Sequence, residues 1–423
     1  MTRQTLSPAP APADARPLAA APEPAGAPIG FVEFVALVAA LMSLAALGID
    51  SMLPALPAIG QSLGVATENQ RQFIVTAFVL GFGVAQLVHG PIADRYGRRT
   101  ALLWAIGGYA IANVACAVSG SFALLLTARV FGGAMVAATR VATVAIVRDC
   151  YHGRPMARVM SIAFMVFMVV PVLAPAFGQT VLLFANWRGI FWVIGGISLG
   201  IWTWFFIRMP ETLRPEARQP LSARRILAGW RQTLGDRLSL GYTLASTSLM
   251  GALYGYLNSV QQIMFDTFDR PRLLAVMFAV TATLMAAANL TNARLVMRLG
   301  TRLISHSAVT ALVVLSALHL TIALTGYETL VGFIVLQALT LGCFGLATSN
   351  FSSMAMENMG GIAGTASSVQ GFTSVTVGAL IGIVIGQAFD GSTAPLAAGF
   401  LCCGLASLLV VAVTERFRLF RPA

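Results

Sequence analysis

From Gly30 onward the chain alternates long apolar runs with short polar breaks. A helix needs about 20 apolar residues to cross a bilayer. Runs of about that length or more cover 31–57, 72–93, 101–119, 122–147, 159–183 and 189–208. After a polar stretch they resume over 239–264, 272–295, 303–325, 328–352, 361–388 and 393–414. Backbone polar groups in lipid must be paired within the segment, so these runs are helices, and their unbroken apolarity excludes the alternating strands of an outer-membrane barrel. The pattern predicts an all-α integral membrane protein with twelve transmembrane helices in two six-helix bundles. Its expected parts are a disordered tail over 1–29, a first bundle over 30–208, a linker over 209–238, a second bundle over 239–415 and a short tail over 416–423. The first tail holds seven of the 19 prolines, too many for a stable helix. It lacks the basic start and short apolar core of a secretory signal.

Composition agrees. Hydrophobic residues make up 57% of the 423 and charged ones only 10%, against about 25% charged in an ordinary soluble domain. The net charge of +11 would suggest nucleic acid in a soluble protein. Here it belongs to membrane topology instead. All 27 basic residues are arginine. With the N-terminus inside, twenty-one fall in cytoplasmic segments, four in outer loops (Arg71, Arg188, Arg270, Arg272) and two inside the fourth span. That bias places both termini of a multi-pass membrane protein in the cytoplasm. The linker carries a possible surface helix over 222–233, with Ile226, Leu227 and Trp230 toward lipid. Five scattered cysteines form no CxxC or Cys/His cluster, so neither metal nor disulfide framework is expected, and no cofactor.

The two halves share a degenerate repeat. Residues 90–99 read GPIADRYGRR and residues 293–302 read ARLVMRLGTR, with Gly97 and Gly300 placed 203 positions apart. With six spans on either side, this suggests duplicated halves related by an axis along the membrane normal.

At these residues the chain resembles the major facilitator superfamily. GPIADRYGRR resembles its signature loop between the second and third helices. LLLTARVFGGAMVAA at 124–138 resembles its fourth-helix motif, with Gly132 where glutamine is usual. GIDSMLPALPAIG at 48–60 and VVPVLAPAFGQ at 169–179 are similar to the first-helix ending and the proline-glycine fifth-helix motif of drug/proton antiporters. Trp187 to Trp192 and Pro210 to Leu213 also fit, most closely the Bcr/CflA drug-resistance branch. The resemblance implies proton-coupled export of small, partly apolar molecules across a bacterial inner membrane by alternating access, the work of a single chain in lipid. A metabolite importer or uniporter of the same fold is the alternative. A membrane enzyme is disfavoured because no HExxH, nucleophile elbow or Walker motif is present.

Charges deep in a membrane are costly and mostly functional. Asp50 and Arg129 each lie about seven residues from the outer ends of their spans, hence roughly 10 Å below the surface. They are the expected proton-coupling pair; a permanent salt bridge, or Asp50 capping a turn before Pro54, is the plainer reading. Arg140 follows Arg129 by eleven residues, almost three turns, and shares its face. It is expected in the substrate cavity, where two arginines give weight to neutral, zwitterionic or anionic cargo. Tyr254, Gln261, Gln262 and Asn289 are further cavity candidates, although such groups also join helices to one another. Glu33 reads as a solvated end residue, and His306 and His319 as structural. By resemblance, Gly90, Asp94, Arg95, Gly97 and Arg98 form a cytoplasmic gate. The glycines would allow close approach, and the arginines would pair with acids such as Asp149 or Glu211. Pro171, Pro175 and Gly178 form a hinge or seal, or an ordinary packing kink.

Overall fold

The structure, a computed structural model, describes residues 27–151, 153–218, 223–359 and 362–420. Almost all of the expected disordered tail over 1–29 lies outside them. The chain folds into helices α1 (Phe31–Asp50), α2 (Leu56–Ser62), α3 (Phe73–Tyr96), α4 (Arg98–Ala117), α5 (Phe122–Cys150), α6 (Gly153–Phe184) and α7 (Trp187–Arg208). There follow α8 (Ala223–Gly235), α9 (Arg237–Gln262), α10 (Leu274–Leu299), α11 (Thr301–Thr325), α12 (Leu330–Ala355), α13 (Ala363–Phe372), α14 (Gly378–Gln387) and α15 (Ala394–Thr414). Among the described residues, ten spans are long and apolar enough to cross a membrane, with α13 and α14 joined as one by a π turn at Thr373–Val377. Helices α6 and α9 complete the twelve. Helix α9 is less apolar because it buries Ser239, Thr243, Thr247, Asn258, Ser259, Gln261 and Gln262 against the bundle interior.

One span departs from its expected shape. The run over 31–57 is not a continuous helix: α1 stops at Asp50 and the chain passes through a 3-10 turn at Leu53–Ala55 into α2. Pro54 has no N–H for the carbonyl of residue 50, so the helical ladder ends there.

In the first half α1 lies against α6, α3 against α5, and α4 against α5 and α7. In the second half α9 lies against α12, α14 and α15, and α12 against α10 and α11. The halves meet along two seams, α3 with α13 and α14, and α6 with α10. Large apolar side chains such as Trp104, Phe184, Ile207, Val314, Val384 and Leu409 are exposed around the outside, a surface that requires lipid.

The internal repeat is visible in the backbone. Gly97 separates α3 from α4 with φ +99°, and Gly300 separates α10 from α11 with φ +78°. Both dihedral pairs lie in a region that essentially only glycine occupies. The surface helix in the linker is present as α8, but Trp230 does not face lipid. It stacks on Phe372 of α13 at 6.3 Å between centroids. Leu227 is exposed, and the side chain of Ile226 lies outside the described residues. The C-terminal residues fold back, with the Phe420 N–H donating to His306 Nδ1 at 3.2 Å.

Candidate functional site

The break in the first span creates the centre of the site. Asp50 is only 5% exposed, and its Oδ1 has no hydrogen-bond partner among the described residues. Three helices clamp the turn before it. Arg129 Nη1 of α5 donates to the Gly48 carbonyl at 3.0 Å, and the Tyr109 hydroxyl of α4 donates to the Leu44 carbonyl at 3.4 Å. On the third side Gly178 of α6 lies directly against the Ser51 backbone, where any Cβ would collide with the carbonyl. Pro175 is buried one turn earlier in α6 and Pro171 is half-buried, with the helix running through both. The proline-glycine motif therefore seats its helix against the Asp50 break.

Arg129 does not pair with Asp50. Its Nε donates to the Ile74 carbonyl at 3.1 Å, its guanidinium lies 4.2 Å from the Phe78 ring centroid, and Nη2 is unpartnered among the described residues. The permanent salt bridge of the plainer reading is thus absent among the described residues: helix carbonyls and an aromatic face hold the arginine instead. Tyr254 and Tyr256 of α9 lie within electrostatic range of Asp50, and Tyr254 also within range of Arg140. Arg140 is exposed and Tyr254 buried. Asp50 and Arg140 of the first half thus come within electrostatic range of Tyr254 of the second, and the space between the halves there is the candidate cleft.

Other candidates belong elsewhere. Gln262 does not line the cavity. Its Nε2 donates to Asn69 Oδ1 at 2.8 Å, and its Oε1 accepts from Gln72 Nε2. Gln72 also reaches the Gly386 carbonyl at 2.9 Å, Asn69 the Gln387 and Phe389 carbonyls at 3.1 Å, and Gln387 the Asn69 carbonyl at 2.7 Å. Gln179 adds a bond to the Pro271 carbonyl at 3.2 Å. This amide network ties the halves together at the arginine-poor end. Among the described residues no hydrogen bond or ion pair joins them at the arginine-rich end, where the halves meet through the packing of α13 against α3. Asn289 accepts from Ser349 at 2.7 Å and so joins α10 to α12. Gln261 is buried with neither amide atom partnered among the described residues.

A neutral hydrogen bond contributes about 0.5–1.5 kcal/mol net. Gln72→Ala combined with Gln262→Ala should therefore loosen the seal without unfolding the halves. Spin labels at Thr67 and Ala388 should then show a longer-distance population that the wild type lacks; an unchanged distance distribution counts against the amides as a seal.

The charged loop at the arginine-rich end is satisfied within its own half. Arg98 is buried and bonds Asp94 at 2.5 Å and Asp149 at 3.3 Å. Glu211 accepts from the Arg98 and Arg99 backbone N–H groups at 2.8 and 3.2 Å, and Arg99 reaches the Met209 and Phe206 carbonyls at 2.7 Å. Arg95 is exposed and lies over Tyr96. Gly97 is required both by its dihedrals and by Glu211, which occupies the place a Cβ would take. Gly90 differs from expectation. A Cβ there would meet only Ser368 at 3.6 Å and Val141 at 3.8 Å, ordinary contacts that do not demand glycine. Gly97→Ala should cost about 1–3 kcal/mol and visibly lower the thermal midpoint in detergent, while Gly90→Ala leaves it nearly unchanged. Equal midpoints for the two variants would contradict this assignment.

The second half mirrors the cluster. Arg302, two residues after Gly300, bonds Glu415 at 2.9 Å and Glu357 at 3.4 Å, and the Tyr242 hydroxyl donates to Glu415 at 2.6 Å. Burial pushes the Glu415 carboxyl up, but the Tyr242 and Arg302 hydrogen bonds outweigh it and hold it below its ordinary range. Glu33 is not simply solvated: Arg208 grips it at 2.6 and 2.7 Å, and Trp204 donates at 3.1 Å, fastening α1 to α7. His319 lies 2.8 Å from Glu328, at the arginine-poor end of the second half.

Twelve spanning helices in two repeated bundles about a charged cleft define a multi-pass membrane transporter rather than an enzyme. The chain belongs to the Major Facilitator Superfamily, whose family model matches residues 38–383. It is 29% identical over 83% of its length to an uncharacterized MFS-type transporter of Bacillus subtilis, covering 87% of that protein. It is 28% identical over 89% of its length to a bicyclomycin resistance protein homolog of Haemophilus influenzae, covering 94% of that protein. The crystal structure of the human organic anion transporter MFSD10 shares the fold, with TM-score 0.65 and 21% identity over 93% of this chain and 100% of that one. These relatives are consistent with the drug-efflux branch of the superfamily.

Proposed function

We propose that this protein exports small, partly apolar molecules across a bacterial inner membrane in exchange for protons, with Asp50 as the proton carrier. The carrying observation is a buried carboxylate with an unpartnered oxygen at a helix break, beside a seam hydrogen-bonded at one end. An ionised carboxylate sealed from water needs a hydrogen-bonding partner or a proton; one opened to water needs neither. Alternate opening of the two ends therefore couples protonation of Asp50 to the position of the cleft. In this reading the arginine-rich end is cytoplasmic, and both termini lie there. The amides at Asn69, Gln72, Gln262 and Gln387 form the outer seal. The Asp94–Arg98 loop is the inner gate, waiting for the opposite seal to break. The name of the bicyclomycin resistance relative supports the outward direction.

The test is extrusion by proteoliposomes with an imposed pH gradient. Export of a dye or drug that stops on collapse of the gradient is expected. Equal rates with and without the gradient would support a uniporter instead.

A further inference from the structure

We propose that Arg140 is an anion-recognition subsite in the cleft, and that the cargo includes amphiphiles bearing a carboxylate, sulfonate or phosphate group. The inference rests on the cleft being the cargo site, as in the reading above, but not on proton coupling.

The first observation is a charge imbalance. Of the sixteen acidic residues, fourteen lie within the described residues, and thirteen of those sit near helix ends or in loops. Asp50 alone reaches the cleft, against Arg129 and Arg140. The cleft carries a net charge of +1 with Asp50 ionised and +2 with it protonated. Arg129 spends itself on the Gly48 and Ile74 carbonyls and the Phe78 ring. Arg140 has no hydrogen-bond or ion-pair partner among the described residues and is exposed, although it sits well inside α5. Its face is that of Arg129, and its charge reaches Tyr254 across the cleft. It therefore points between the halves and not toward lipid.

The second observation is independent of charge. Thr127 and Thr139 of α5 donate to carbonyls of their own helix, Ala123 at 2.9 Å and Val136 at 2.8 Å. Thr143, three residues beyond Arg140 and on the same side of the helix, makes no such bond. Its hydroxyl is buried and unpartnered among the described residues. A guanidinium without a partner, one turn from the unspent Thr143 hydroxyl, suits a planar anion, which it can grip with two parallel N–H bonds. The apolar remainder of such a molecule would lie deeper. Arg140 is about 16 Å from Arg129 along the helix, so cargo anion and proton occupy different levels of the cleft. Their exchange runs through closure of the cleft and not through competition for one position.

The experiment compares naphthalene-2-carboxylate with its neutral amide by titration calorimetry on the purified wild type, Arg140→Gln and Arg140→Lys. The wild type should bind the carboxylate at least about ten-fold more tightly than the amide. In Arg140→Gln the preference should vanish with amide affinity unchanged. In Arg140→Lys, which keeps the charge without the fork, it should be intermediate. No preference in the wild type, or an undiminished one in Arg140→Gln, overturns the subsite. Gradient-driven extrusion of the amide is followed in parallel. Extrusion without carboxylate preference removes only the anion subsite. An Arg140-dependent preference without driven extrusion of either compound removes proton-coupled export and leaves the subsite standing.

Discussion

Asp50→Asn should lower gradient-driven transport by at least about 100-fold, which corresponds to about 2.7 kcal/mol of lost coupling, while cargo binding changes by no more than about two-fold. Asparagine matches aspartate in size and keeps the α1 break, because the break comes from Pro54 and not from the carboxylate. The contacts that hold the turn, Arg129 to Gly48 and Gly178 against Ser51, use backbone and remain. Only the exchangeable proton is removed. Proteoliposomes should show the loss under an imposed pH gradient, with cargo exchange at equal pH retained. A variant that still concentrates cargo against its gradient would remove Asp50 from the coupling role.

Arg129→Met is expected to separate stability from function. The buried guanidinium has no carboxylate within ion-pairing distance among the described residues, and one of its nitrogens is unpartnered. Replacing a buried charge by an apolar side chain of similar volume is often neutral or stabilising. The carbonyls it reaches, at Gly48 and Ile74, belong to helices. The thermal midpoint should therefore hold or rise. Transport should nevertheless fall by about 100-fold or more, since the one cation fastened beside the Asp50 turn among the described residues is gone. A midpoint that drops sharply with transport falling only in proportion to folded protein would make Arg129 a structural residue.

The helices were legible because the bilayer imposes length and apolarity on each span. Gly97 and Gly300 were legible as a repeat, and the structure adds their shared positive φ. Pro54 held the cue to the break in the first span, yet apolarity alone ran the helix on to residue 57. What escaped was pairing at long range. Asn69 and Gln387 are 318 positions apart and of ordinary type, so no local pattern marks them as a seal. Gln262 stood out for its chemistry, but its partners decide its role. Arg302 was visible in the repeat, whereas Glu357 and Glu415, which complete the mirror cluster, follow no fixed spacing. Asp50 and Arg129 were drawn together by depth and opposite charge. The structure brings Arg129 of α5 to the last turn of α1, beside Asp50, and gives the arginine to carbonyls.

The most direct measurement is proton release from purified protein in weakly buffered detergent solution when a transported compound is added. Wild type should release protons on binding, and Asp50→Asn should bind the compound and release none. Clear binding with no proton release from either protein would contradict proton-coupled exchange at Asp50.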